Sequence, residues 1–278
     1  MNRIAEAREF ALRDYGKAIG KPVESVTTPA LLLDLPAARH NIARMAEGMA
    51  ALPAALRPHV KGHKSPDLAR LQAEAGAQGF STATVWEAVI LAEAGFDDLF
   101  VVNTVAGAAK IARLADLARE RRVLVAVDDL ENARDLSRAT VKAGATLRVL
   151  IEIDTGMQRA GLTDPVAAAA LAQQLADLPS LRVEGVTGYE GHCSLEDDVV
   201  RRSLKQRAAM EFLLAAVAAV EDAGVPCSIV SAGGTRTWWL TAATSGVTEI
   251  QAGTYVLMDR FHSGVEGGFE PALPGPKP

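Results

Sequence analysis

The sequence predicts an α/β fold closed into a (β/α)8 TIM-like barrel, and three observations carry that prediction. Short β-branched runs alternate with Ala- and Leu-rich amphipathic stretches along the chain. The strand candidates read VLVAV, VLIEI or LFVVN, continuous rather than alternating, as strands buried on both faces by flanking helices do. The length, 278 residues, suits one barrel of about 250 residues.

Eight strand candidates fall at 56–62, 79–84, 98–104, 122–128, 146–154, 182–190, 228–233 and 247–256. Helix candidates lie between them at 66–75, 85–94, 106–119, 130–143, 165–178 and 199–223, and Gly76, Gly95, Gly144 and Gly224 mark several of their ends. A doubly wound open sheet has the same local rhythm. Strand number and length favour the barrel, and no GxGxxG follows an early strand. Two segments stand outside it: a helix candidate at 2–17 followed by a strand candidate TPALLLDL at 28–35, and a Pro/Gly-rich tail from Phe269 expected to lack structure. The expected organisation is a helix and strand over 1–35, the barrel over 36–260 and a remnant over 261–278.

Composition excludes several function classes. Hydrophobic residues make up 49% and charged residues 23%, with a net charge of −5 and no basic block, a poor basis for binding nucleic acid or an anionic membrane. The N-terminus carries Glu6, Glu9 and Asp14 and does not read as a signal peptide. The longest uncharged apolar run, 212–220, is too short to span a bilayer. Cys193 and Cys227 form neither a disulfide framework nor a zinc spacing. A cytoplasmic protein is expected.

Barrel sites sit at strand C-termini, and the polar residues gather there. The first candidate strand ends RPHVKGHK, placing Lys61 among His59, His63 and Lys64. Neighbours that disfavour a second positive charge lower an amine's pKa and free it for carbonyl attack. His59, Lys61 and His63 share a face if the run is extended. The bland alternative is a solvated basic loop. A metal reading of His59 and His63 is weaker, because their helical spacing falls in an extended run after Pro58. SAGGTRT after the seventh strand offers Gly233, Gly234 and Thr235 ahead of a helix candidate at 235–243, where loop glycines and unpaired N–H groups receive an anion. Tyr255 is placed to add a hydroxyl. Arg159 in DTGMQRAG is either a loop cap or a cation for an anionic oxygen. Tyr189 and His192 in GYEGHC are an acid/base pair candidate. A Schiff-base lysine, a phosphate cradle, an oxyanion-binding Arg and an acid/base group are what pyridoxal phosphate (PLP) requires of a protein.

TPALLLDL, LRPHVKGHKSPDLARLQAEAGAQGF, IDTGMQRAG, GYEGH, SAGGT and TEIQAGTYVLMD, in that order, resemble the fold type III PLP enzymes with an alanine-racemase-like N-terminal barrel. The nearest resemblance is to the D-threonine aldolase, D-serine dehydratase and 3-hydroxy-D-aspartate aldolase group. The resemblance implies that Lys61 forms the Schiff base, Arg159 holds the phenolic oxygen, Gly233, Gly234, Thr235 and Tyr255 bind the phosphate, and Gln251 meets the pyridine nitrogen. It places Tyr189 and His192 on the substrate side. Two departures stand out: Arg236 follows GGT where the family often has Gly, and the chain ends where relatives continue into a β-rich domain carrying a divalent-metal site. No HxC or HxD pair follows Arg260, so a missing metal site and an unpartnered TPALLLDL strand, covered by a homodimer or not at all, are the expectations.

The expected activity is a PLP-dependent lyase on β-hydroxy-D-amino acids, foremost retro-aldol cleavage to glycine and an aldehyde. D-serine-dehydratase-like elimination and a non-catalytic PLP-binding barrel are the alternatives. An amino-acid racemase ranks below both, because its second base usually comes from the absent domain.

Overall fold

Strands that bury both faces must be wrapped by helices, and each connecting segment here begins with a residue able to start one. Ser65, Thr84, Asp129, Asp164 and Asp198 each accept a backbone N–H with their side chain at a helix N-terminus. The computed structural model describes residues 9, 12–262, 265 and 267–273. Its strands are β1 (Ala55–Leu56), β2 (Phe80–Thr82), β3 (Asp98–Val101), β4 (Arg122–Val127), β5 (Leu147–Glu152), β6 (Leu181–Thr187), β7 (Ile229–Ala232) and β8 (Glu249–Ile250). The helices are α1 (Leu35–Ala50), α2 (Pro66–Glu74), α3 (Val85–Glu93), α4 (Ala108–Ala118), α5 (Leu130–Ala143), α6 (Pro165–Ala176), α7 (Val199–Asp222) and α8 (Trp238–Ala242).

All pairings are parallel, in the order β1-β8-β7-β6-β5-β4-β3-β2. A parallel bridge between His59 and Ser81 joins the ends of this sheet, with the Ser81 N–H donating to the Pro58 carbonyl at 2.9 Å. The expected barrel is therefore observed, with strands shorter than the apolar runs that announce them.

Its interior is layered by strand parity. Phe100, Leu124, Ala126 and Leu150 form a middle apolar cluster separate from the larger core between sheet and helices. Below it, Arg57 donates to Glu249 (2.9 Å) and Asp98 (2.8 Å), and Arg148 donates to Glu184 (2.6 Å) and Asp98 (3.3 Å). Burial costs these charges hydration, and the pairing offsets it. Above the apolar layer the same inward positions carry His59, Glu152, Thr187 and Gln251, which line a cavity.

The outlying segments differ from expectation. TPALLLDL forms no strand. It is extended from Pro29 to Asp34, with Leu31 87% exposed, and its end is fixed by the Asp34 N–H donating to the Ala272 carbonyl (2.8 Å). The tail expected to be unstructured is pinned as far as it is described. Asn41 exchanges hydrogen bonds of 2.7 Å with both backbone groups of Glu270, and the Ala272 N–H donates to the Leu257 carbonyl. Residues 274–278, and most of the helix expected over 2–17, lie outside the described residues; 12–16 are helical. Among the described residues no helix is long and apolar enough to cross a membrane.

Candidate active site

The cavity, of about 170 Å3, opens at the C-terminal ends of the strands. Lys61 lines it, but not from a strand. The chain turns through a single 3-10 turn, Val60–Gly62, directly after β1. Burial pushes the Lys61 amine below its ordinary pKa; the Arg159 guanidinium adds to this and Glu87 opposes it. The neighbours named from the sequence are not the cause. Burial first, and then the Lys61 charge, lower His59 to about 3, and burial lowers His63 to about 4, so both imidazoles are neutral near pH 7. His59 accepts the Lys61 N–H at 3.3 Å. His63 turns away to Gln72 (3.2 Å), and Lys64 pairs with Glu87 (2.5 Å). The two histidines do not converge on a common point.

Arg159 is delivered by the loop after β5. Asp154 accepts the N–H groups of Gly156 and Gln158 (2.9 and 3.0 Å), folding that loop back toward the cavity. The Arg159 guanidinium lies 3.8 Å from Glu152 and 5.7 Å from the Tyr189 ring centroid. Lys61 Nζ is also 5.7 Å from that centroid. Burial, and then Glu190, raise the Tyr189 phenol above its ordinary pKa, so it remains a proton donor.

The glycine loop completes the wall. Gly233 adopts φ +86°, which L side chains rarely adopt, and a Cβ on Gly234 would meet the Tyr189 ring at 3.1 Å. The fully buried Glu190 carboxylate organises this turn. It accepts the Gly233 N–H (3.0 Å) and the hydroxyls of Thr237 (2.7 Å) and Thr241 (2.6 Å). The helix expected over 235–243 starts only at Trp238 and runs five residues, because the Thr237 hydroxyl is taken by Glu190 instead of capping it. This stretch of the wall is thus the loop itself rather than a helix terminus.

Two residues singled out from the sequence, Tyr255 and His192, do not line the cavity. The Tyr255 hydroxyl does not line the cavity. It accepts from Gln72 (2.7 Å) in a fully buried position, and the residue meets the loop through its N–H, which donates to Thr235 Oγ1 (3.1 Å). His192 stands behind the wall, where a Cβ on Gly156 would touch it at 2.9 Å. Arg236 is buried and does not line the cavity; it donates to the Ser194 carbonyl and to Asp197, both at 2.9 Å. Cys193 is buried, and burial followed by Glu190 pushes its thiol up to about 12.

Among the lining residues that sequence reasoning did not single out are Glu152, Thr187 and His262. Glu152 is hidden in an apolar run, its only signal a charge at the inward parity of Arg148 and Leu150. Burial, then Asp128, raise it to about 7, and its buried Oε2 has no partner. Thr187 shares the parity of Tyr189. His262 comes from the segment after the barrel.

Two cations, a backbone cradle, a neutral amide and an aromatic wall fit a small anionic aromatic aldehyde such as the cofactor expected from the sequence. Among the described residues no group of three His, Cys, Asp or Glu side chains could hold a metal.

Residues 33–260 match the family described as alanine racemase, N-terminal domain. The chain belongs to that family. Within it, the chain is 37% identical over 240 residues to a D-threonine aldolase of an Arthrobacter species, covering 86% of this chain and 63% of that protein. It is 36% identical over 242 residues to a 3-hydroxy-D-aspartate aldolase of Paracoccus denitrificans, covering 86% and 62%. The solved D-threonine aldolase of Filomicrobium marinum superposes with a TM-score of 0.87 at 35% identity, over 90% of this chain and 69% of that one. The chain thus spans just under two thirds of the curated relatives it matches.

Proposed function

We propose that this chain is the PLP-binding barrel of a lyase acting on β-hydroxy-D-amino acids by aldol cleavage to glycine and an aldehyde. The observation that carries the reading is the convergence on one cavity of Lys61, Arg159, the Gly233–Gly234 turn and Gln251. In this reading Lys61 holds the cofactor aldehyde, Arg159 its phenolic oxygen, Gly233, Gly234 and Thr235 its phosphate, and Gln251 its ring nitrogen. Bound PLP supplies an electron sink for the bond broken at Cα.

The chain's own groups do the rest. A lysine with a lowered pKa offers a neutral amine at lower pH than an ordinary one. Tyr189, held protonated, donates a hydrogen bond on the substrate side. Arg159 attracts an anionic ligand and holds it against the Tyr189 ring. His192, expected as the base, packs against the Gly156 turn behind the wall and is assigned no step. The reading includes a cytoplasmic location and a homodimer, the latter supported by the exposed Leu31, Leu33 and Leu35.

The test is product release from D-threonine by protein loaded with PLP, with and without added Mn2+. Glycine and acetaldehyde are expected. Similarity to a D-threo-3-hydroxyaspartate dehydratase of a Delftia species, at 34% identity, favours elimination as the second reading, marked by a 2-keto acid and ammonia. Bound cofactor with neither product set overturns both.

A further inference from the structure

A side-chain amide can offer a pocket either its oxygen or its nitrogen, and the choice follows from the hydrogen bonds behind it. At the end of β8, Gln251 Nε2 donates to Thr187 Oγ1 at 3.2 Å and to Ser231 Oγ at 2.9 Å. Thr187 carries one hydroxyl hydrogen, and it is spent on the Ser231 backbone carbonyl at 3.1 Å. While that bond holds, the Thr187 oxygen accepts from Gln251. A flipped amide would set its oxygen against the Thr187 oxygen and draw the hydroxyl off the Ser231 carbonyl. Both hydroxyl residues are buried, Thr187 to 5% and Ser231 to 0% exposure, so water does not relieve that clash. The Gln251 oxygen is left facing the cavity.

We propose that Thr187 is a positioning residue that locks Gln251 with its amide oxygen toward the cavity, so that the site prefers a protonated heteroaromatic nitrogen. This rests on the PLP reading of the site and sharpens it. An amide oxygen accepts from a ring N–H, whereas an amide nitrogen would donate to an unprotonated ring. A protonated ring draws electrons harder from the bond to be broken, so the hydroxyl on β6 sets the strength of the electron sink without touching the cofactor.

The experiment is 15N NMR of protein loaded with PLP labelled at the ring nitrogen. The wild type and Thr187→Ser are expected at the pyridinium position. Thr187→Val frees the amide to turn and is expected to shift toward the pyridine position. Gln251→Glu, which offers an acceptor in either orientation, is expected to restore the pyridinium signal in the Thr187→Val background. Loss of packing alone would lower loading without moving the resonance. A pyridine signal in the wild type overturns the proposal even if Thr187→Val does not fold, as does an unmoved signal in Thr187→Val or a shifted one in Thr187→Ser. No uptake of labelled PLP by the wild type overturns the PLP reading and this proposal together; uptake with the wrong signal overturns this proposal alone.

Discussion

Lys61 Nζ lies 5.7 Å from the centroid of the Tyr189 ring, and that ring is the surface the lysine shares with Arg159. Arg159 is close enough to disfavour a charge on Lys61. Burial and this second cation, not the adjacent histidines, hold the Lys61 amine below its ordinary pKa.

Removing the Arg159 charge should therefore raise the Lys61 pKa. Competitive acetylation of the cofactor-free protein across a pH series reads this directly. The midpoint at Lys61 is expected below the ordinary lysine value in the wild type and higher in Arg159→Gln. An unmoved midpoint would show that burial alone sets it.

Glu152 predicts a pH-dependent stability. Its pKa is raised from 4.5 to about 7 in the folded chain. Between those values the folded state keeps a proton that the unfolded state has lost, so stability falls as pH rises through the window. Glu152→Gln removes that loss. Its stability relative to the wild type should be flat below pH 4.5, climb between pH 4.5 and 7, and level off at a gain of at most roughly 3 kcal/mol. Urea unfolding at pH 4, 6 and 8 checks the sign.

Glu190 holds the glycine loop through Gly233, Thr237 and Thr241. Glu190→Ala leaves those donors unpartnered in a buried place. Affinity for PLP is expected to fall about tenfold, equivalent to roughly 1.4 kcal/mol, while affinity for pyridoxal, which lacks the phosphate, changes little. Equal losses for both would place the effect outside the phosphate cradle.

The ion network under the barrel is a stability element. Arg57→Met strands Glu249, while Asp98 keeps Arg148 and Arg122, and should cost about 3–5 kcal/mol. The double variant Arg57→Met/Glu249→Met should cost less than Arg57→Met alone, since it removes one stranded charge. Chemical denaturation of both variants tests this.

The barrel was legible because the central strands are continuous apolar runs and most helices open on a side-chain cap, both local signals. What was not legible depends on neighbours brought from elsewhere. Lys61 lies in a turn rather than a strand, because the chain leaves β1 after Leu56 and bridges to β2 only at His59. The helix at 235–243 is shortened by Glu190, which is distant in sequence. Tyr255 was assigned by its position beside the glycine loop, yet its hydroxyl is claimed by Gln72 on α2. Glu152 and Thr187 carry no motif and become visible only when parity puts them above the apolar layer. The tail could not be read from Pro and Gly content, because Asn41 on α1 ties it down.

The central claim is tested most directly by treating PLP-loaded protein with borohydride and mapping the reduced pyridoxyl group by peptide mass spectrometry. The account predicts a single modified residue, Lys61, and loss of the label in Lys61→Ala. A label on any other lysine, or none on a folded protein saturated with PLP, would contradict it.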